Sequence, residues 1–281
     1  MQEQVSTIKP APTYTQVVAA SGHTCWLKSD RSAFCFGDNT EGQSDVPIGQ
    51  KFLQLSVNPT SVQSTCGLKI DGSAVCWGNP SEAGGLTSPV GSTFTKIANG
   101  RGHVCGLKGD GTVECWKRAD AYQEVLNVPP GVLFKDIAAA ESYTCGLTTD
   151  GAIACWGNDS VLNTVPSGND FISISAGQFR ACGLKTDGVV VCWGSDNPLT
   201  PPSGVTFASI SVGGAGLTCG VRTDGYAQCW GDVSEYYAIP ISNITFTQIS
   251  AGEQHACGIA TDNTIRCWGD NGYSQGPQLF P

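Results

Sequence analysis

Apolar and polar positions alternate with period two in short runs along the whole chain, and Gly, Pro, Asn or Asp punctuate each run. Stripes of helical period are absent. Runs such as Cys66-Gly-Leu-Lys69 and Val75-Cys-Trp77 predict strands, and the Asp71-Gly72 pair between them is a hairpin signal. If Leu68 faces Ala74 across that hairpin, Cys66 faces Cys76. Opposed strand residues hold their Cβ atoms about 4.5–5.5 Å apart, less at non-hydrogen-bonded pairs. A disulfide needs about 3.5–4.5 Å. The register therefore predicts a cross-strand disulfide. Free buried thiols and zinc are the alternatives, but the nine-residue gap does not match short Cys-x-x-Cys zinc spacing.

The same unit appears seven times. All 14 cysteines fall into pairs of one spacing: Cys25/Cys35, Cys66/Cys76, Cys105/Cys115, Cys145/Cys155, Cys182/Cys192, Cys219/Cys229 and Cys257/Cys267. The first cysteines follow one another at 41, 39, 40, 37, 37 and 38 residues, the period of a repeat architecture. An aromatic opens each unit (Tyr14, Phe52, Phe94, Phe134, Phe171, Phe207, Phe246), and an aliphatic follows three residues later. An aspartate stands five residues after each first cysteine. The second cysteine is followed by tryptophan in every unit but the first, which has Phe36.

Each unit then supplies strand A after the aromatic, strand B with the first cysteine, strand C with the second, and a weaker strand D near the prolines. Seven four-stranded units predict an all-β, seven-bladed propeller of antiparallel strands with one disulfide per blade. The repeats run 14–51, 52–93, 94–133, 134–170, 171–206, 207–245 and 246–281, in a single domain over 14–281. Residues 1–13 precede them, and Val5–Ile8 is placed as a strand that closes the ring, with a disordered leader as the alternative. Small residues after the strand A aliphatic (Ala98, Ala138, Ser175, Ser211, Ser250) suit strands crowded around an axis. Repeat 1 has Trp26 where the others have glycine, read as volume compensation for Phe36. Repeat 2 carries three extra residues around Asn58-Pro-Thr-Ser61.

Composition narrows the setting. Fourteen paired cysteines imply an oxidising compartment, extracellular or at the cell surface. The chain opens Met-Gln-Glu-Gln without a signal peptide, as a mature domain with an added start methionine would, and as a natural initiator would too. No apolar run of about 18 residues is present, so no membrane insertion is expected. A net charge of −9 disfavours nucleic acid and anionic membrane as partners.

These residues carry a resemblance. The phrase Gly-x-x-His-Thr-Cys-Gly-Leu-x-x-Asp-Gly-x-Val-x-Cys-Trp-Gly-x-Asn resembles the regulator of chromosome condensation repeat. The cysteine pairs resemble its secreted branch, typified by the ectodomains of Crinkly-type receptor kinases, and the blade design is similar to that of β-lactamase inhibitory protein II. The resemblance covers the chain from Tyr14 onward. It implies a propeller that serves as a binding module; a fold alone does not establish that function.

Strand direction places the A–B and C–D connections on one face and the Asp-Gly hairpins on the other. The hairpin face is nearly uniform between repeats; the A–B/C–D face varies, and varied loops on a rigid scaffold are where sites are built. Candidate partner-binding residues there are Tyr143, Phe179, Arg180, Leu217, Arg118, Tyr122, Tyr236, Tyr237 and Tyr273, of the types enriched at hot spots. The expected partner is a protein. A glycan-binding lectin is the alternative, as is a structural surface component, with the chain a monomer or part of a larger surface assembly. Asn158-Asp-Ser160 and Asn243-Ile-Thr245 are glycosylation sequons. His23, His103 and His255 occupy equivalent positions and read as structural side chains bonding a loop carbonyl rather than as metal ligands. No catalytic motif and no cofactor signature is present, so no enzyme activity and no cofactor are expected.

Overall fold

The computed structural model describes residues 13–60, 64–79, 86, 88–194, 200–214, 216–231 and 240–274. Its A strands are Tyr14–Ala19, Phe52–Val57, Lys96–Asn99, Phe134–Ala139, Phe171–Ala176, Phe207–Val212 and Phe246–Ala251. Each pairs antiparallel with its B strand, and B with C, giving seven three-stranded sheets in the order A-B-C. The A strands neighbour one another in cyclic order, with the seventh against the first. The molecule is therefore a closed ring of seven blades.

Strand D does not form among the described residues. In blades 3 and 4 its place is taken by short 3-10 helices, Gln123–Leu126 and Ser160–Thr164. The prolines nearby (Pro129, Pro130, Pro166) lack the amide hydrogen that a fourth strand would have to donate. The ring-closing strand expected at Val5–Ile8 lies outside the described residues.

The B–C hairpins follow the expected register: Leu68 opposes Ala74 and Cys66 opposes Cys76. The turn closes with Lys69 N–H donating to Ser73 O at 2.8 Å and Gly72 N–H to Lys69 O at 3.0 Å. Asp71 Oδ1 accepts from Ser73 N–H at 2.9 Å, so the aspartate holds the turn from inside. The next residue must be left-handed. Glycine supplies this at Gly72 (φ 81°), while Arg31 (φ 67°) and Asn263 (φ 66°) adopt it in the two hairpins without glycine.

All seven predicted disulfides form: Cys25–Cys35, Cys66–Cys76, Cys105–Cys115, Cys145–Cys155, Cys182–Cys192, Cys219–Cys229 and Cys257–Cys267, with Cα atoms 4.0–4.1 Å apart. The two ends of each bridge differ in a way the sequence does not distinguish. The first cysteine of every pair is fully buried on the central strand B. The second ones (Cys35, Cys76, Cys115, Cys155, Cys192, Cys229 and Cys267) are only half-buried. They lie on strand C, the outermost strand among the described residues, so each bridge ties an edge to the core rather than filling the core.

The repeat aromatic explains the glycine after the first cysteine. The Phe171 ring lies flat over Gly183, where an added Cβ would come within 2.6 Å of it; Gly220 under Phe207 and Gly258 under Phe246 leave as little room. The ring then meets the tryptophan of strand C, as in Phe94–Trp116 at 5.2 Å and Phe207–Trp230 at 5.1 Å. Blade 1 solves the same problem differently. Trp26 replaces the glycine and stacks on Phe36 at 4.6 Å, with Tyr14 edge-on at 6.4 Å. The added indole compensates for the lost one.

Neighbouring A strands are too far apart around the axis to form a common sheet, and side chains bridge them instead. Gln16 donates to Leu55 O at 2.9 Å and accepts from Leu55 N–H at 2.7 Å; Gln54 repeats this on Ile97. Ser175 accepts from Val212 N–H, Ser211 from Ala251 N–H, and Ser250 from Ala19 N–H, each at 2.9 Å. The axial serines thus also join one blade to the next. They line a central channel of about 260 Å³.

Candidate functional site

The A–B and C–D connections do share one face: in four blades the C–D connection starts by bonding back to the A–B turn of its own blade. Asp38 N–H donates to Gly22 O at 2.8 Å, Arg118 to Gly102 O at 2.9 Å, Asn158 to Ser142 O at 2.8 Å and Asp270 to Gln254 O at 2.8 Å. The extra residues of repeat 2 gain a role here. Asn58 and Thr60 are buried, and Pro59 lines the channel. The carbonyl of Pro59 lies 2.7 Å from where a Cβ on Gly214 of blade 6 would stand, so this loop reaches across the axis at the mouth of the channel. Asn58 Oδ1 holds it by accepting from Thr60 N–H at 2.8 Å.

Three of the candidate aromatics are exposed on this face: Phe179 (46%), Tyr122 (57%) and Tyr273 (60%). Arg118 pairs with Asp120 at 3.1 Å. Arg180 is half-buried, with Nη1 reaching Gly216 O of blade 6 at 3.5 Å. Phe179 sits at the rim of a groove of about 610 Å³ lined by Asn158, Asp159, Ser160, Leu162 and Asn163. Asp159 fixes that wall by capping the 3-10 helix through Val161 N–H at 3.0 Å and accepting from Ser142 Oγ at 3.0 Å. Tyr236 and Tyr237 lie outside the described residues.

Tyr143 and Leu217 are not surface residues: both are fully buried. Each starts its B strand or immediately precedes it, two residues before the first cysteine, and this position points into the seam between blades. Tyr143 Oη donates to Gly177 O at 2.8 Å and Arg180 O at 2.7 Å of the next blade. The three histidines occupy the same position and do the same work. His23 bonds Thr65 Oγ1 at 2.8 Å, His103 bonds Thr144 Oγ1 at 2.9 Å, and His255 bonds Thr24 Oγ1 at 2.7 Å, always through Nε2 and always on the following blade. The partner across the seam is a threonine hydroxyl; His103 also has a hydrogen bond with the backbone of Arg101 in its own A–B turn, the kind of loop contact expected. Sequence carried the signal: the residue before the first cysteine is threonine on blades that receive a histidine, but Ala181 and Ala256 opposite the bulkier Tyr143 and Leu217.

Burial sets the electrostatics of these latches. Desolvation lowers His23, His103 and His255 to about 4, and His255 adds repulsion on His23. They are neutral at physiological pH and enclosed, which suits a structural bond and not proton transfer with solvent. The hairpin face carries the opposite pattern. Asp30 and Asp71 are held at about 2, chiefly by hydrogen bonds from Ser32 and Ser73 within their own turns. These carboxylates are committed to turn geometry. Among the described residues no three metal-ligating side chains converge.

The fold and its seams define a disulfide-braced, seven-bladed propeller. Residues 14–43, 171–197 and 246–275 match the family model "Regulator of chromosome condensation (RCC1) repeat". The structure resembles the Crinkly ectodomain of the Arabidopsis thaliana receptor kinase ACR4, with 24% identity, a TM-score of 0.76, and coverage of 92% of this chain and 96% of that one. It is similar to the ectodomain of the Physcomitrella patens receptor kinase CR4, with 25% identity, a TM-score of 0.76, and 92% and 74% coverage. Yeast RCC1 (Prp20), solved bound to Kap60, shares the fold at 16% identity and a TM-score of 0.51 over 95% and 72% of the two chains. No curated protein sequence matches the chain.

Proposed function

We propose that this chain is an extracellular or cell-surface binding module that engages a protein through the A–B/C–D face, on the arc formed by blades 3 to 5. The observation that carries this reading is Phe179, 46% exposed beside a polar groove between blades 4 and 5. An aromatic anchor next to hydrogen-bonding groups is the make-up of an interface hot spot. Tyr122 and Arg118 of blade 3 extend the arc on one side and Arg180 on the other, while Tyr273 of blade 7 lies beside the Gly22 turn of blade 1, away from this arc. Among the described residues, the exposed aromatics of this face stand at different blade positions, unlike a repeated sugar platform. Yeast RCC1 (Prp20), which shares the fold, was solved bound to the protein Kap60. The seven disulfides and the likeness to receptor ectodomains support the compartment. Asn158 and Asn243 are exposed on opposite faces, as glycan acceptors must be.

The test is a mass-spectrometric pull-down from extracellular extract, with the oxidised protein and its Phe179→Ala/Tyr122→Ala variant as baits. A glycan array runs on the same preparations. A protein retained by the parent and lost by the variant supports the reading. Array binding with no protein enriched replaces it with the lectin. Retention by both baits moves the interface off this arc.

A further inference from the structure

The seam between blades 2 and 3 departs from the other six. Elsewhere the position two residues before the first cysteine holds histidine, tyrosine, leucine or arginine, and the A strand of the next blade ends in alanine or valine. His103, for example, bonds Thr144, and Thr144 pairs with Ala139 at the end of its A strand. At the seam of blades 2 and 3 the latch position is Ser64. The next A strand ends in Asn99, and Asn99 pairs with Val104, which has no hydroxyl to receive a latch. A small polar residue has replaced the large latch, and a larger polar residue has replaced the small one facing it.

Strand period aims three side chains at this place. Gln54 and Ser56 of blade 2 accept from Ile97 N–H and Asn99 N–H of blade 3, each at 2.9 Å, and Asn58 follows on the same face. Ser64 shares its face with Cys66 and Leu68, which cluster with Ile97. Asn99 shares the face of Ile97 and so looks back at blade 2. Asn58, Ser64 and Asn99 are at most 1% exposed. Asn58 Nδ2, Ser64 Oγ, Asn99 Nδ2 and Asn99 Oδ1 have no hydrogen-bond partner among the described residues. Asn58 cannot turn its amide over, because Oδ1 already accepts from Thr60 N–H at 2.8 Å and Thr60 Oγ1 at 2.6 Å. Asn99 lines the central channel together with Ser56 and Pro59, so the three side chains form a polar alcove off that channel. Buried polar atoms are nearly always partnered, and four idle ones at a single seam end point to a guest.

We propose that this alcove binds the primary carboxamide of a small neutral molecule held in the channel. The groups match one to one. The guest's carbonyl oxygen has two lone pairs, for the amide hydrogens of Asn99 Nδ2 and Asn58 Nδ2. Its two N–H groups find Asn99 Oδ1 and Ser64 Oγ. The amide of Asn99 and that of the guest thus pair edge to edge. None of the three side chains is ionisable, and Lys96 of the channel wall is already paired with Asp136. A carboxylate or an ammonium would therefore be buried without a countercharge, which is costly. The channel, about 260 Å³, keeps the rest of the molecule small.

The test is an NMR titration of the isotope-labelled full chain with acetamide, read from the side-chain amide signals of Asn58 and Asn99. N,N-dimethylacetamide, which keeps the carbonyl but has no N–H, is the comparison. The control chain is Ser64→His/Asn99→Ala, which gives this seam the make-up of the His103 seam and fills the alcove, with Val104 in the shape of Thr144. Acetamide should shift both signals to saturation, bind at least about tenfold more tightly than the dimethyl analogue, and leave the control chain unchanged. Shifts that do not saturate, equal binding of the two amides, or equal binding by the control chain overturn the proposal. The first is the result if water alone partners these atoms. The comparison of the two amides is made on the parent chain and does not depend on the stability of the control.

Discussion

Acidification from pH 7.5 to pH 5 destabilises this propeller through its histidine latches. His23, His103 and His255 are neutral in the folded ring, each lowered to about 4 by burial. In the unfolded chain they titrate near 6.5. Between those values the unfolded state binds more protons than the folded one, so stability falls as the pH falls. At pH 5 the linkage amounts to about 2 kcal/mol for each histidine taken alone, and to about 6 kcal/mol when the three are summed without the repulsion between His23 and His255. Domains of this kind are stable by about 5–15 kcal/mol in all, so the effect is large. The hairpin aspartates do not confuse the reading. Asp30 and Asp71 are held down at about 2, so their contribution stays complete above the unfolded carboxylate value and is lost only as the pH falls below it. The assay is urea denaturation with disulfides intact at pH 7.5, 6 and 5, for the parent chain and for His103→Gln. The amide of Gln keeps a hydrogen-bonding group near Thr144 Oγ1 but takes up no proton. The variant should lose about one third of the pH dependence. A parent chain equally stable at pH 7.5 and 5, or a variant with the full parent slope, would refute the argument.

Three further outcomes follow from the packing. Gly183→Ala forces a methyl within 2.6 Å of the Phe171 ring and 3.0 Å of Ile153 Cδ1, and should cost about 1–3 kcal/mol in urea denaturation. Tyr143→Phe removes the donor to Gly177 O and Arg180 O inside a buried seam, and should cost about 1–3 kcal/mol with no change in exposed surface, seen as a lower melting temperature. Opening the Cys105–Cys115 bridge with paired serines should cost no more than about 3 kcal/mol, because the hairpin already restricts the loop it closes; a larger loss in the melting curve would show that the bridge also holds the seam.

Much of the molecule was legible because the repeat prints the same physics seven times. The spacing of Cys66 and Cys76 across Asp71-Gly72 sets the register, and the register alone brings the sulfurs together. Seven such units with one apolar face each must close on one another, so the ring followed as well. The small axial residues and the Trp26 exchange could be read for the same reason: each is a departure visible against six other copies. Other features depend on which blade stands beside which, and local pattern does not hold that information. Tyr143 and Leu217 looked like loop residues, yet they fill a seam whose opposite wall, Ala181 or Ala256, lies in the next repeat. The histidine–threonine bonds likewise cross between blades, and the Pro59 loop spans from blade 2 to blade 6. Among the described residues the fourth strand does not form, for a related reason: whether an outer segment pairs depends on the edge it meets and on donors that proline lacks, not on its own alternation. The same edge leaves Cys35, Cys155, Cys192 and Cys229 half-buried while their partners are enclosed. Sequence therefore determined the unit, its disulfide and the number of blades, since these rest on contacts within about 40 residues. The tertiary structure decided which side chains are buried between units and which are left to meet a partner, since burial is a property of two surfaces and a single repeat contains only one of them.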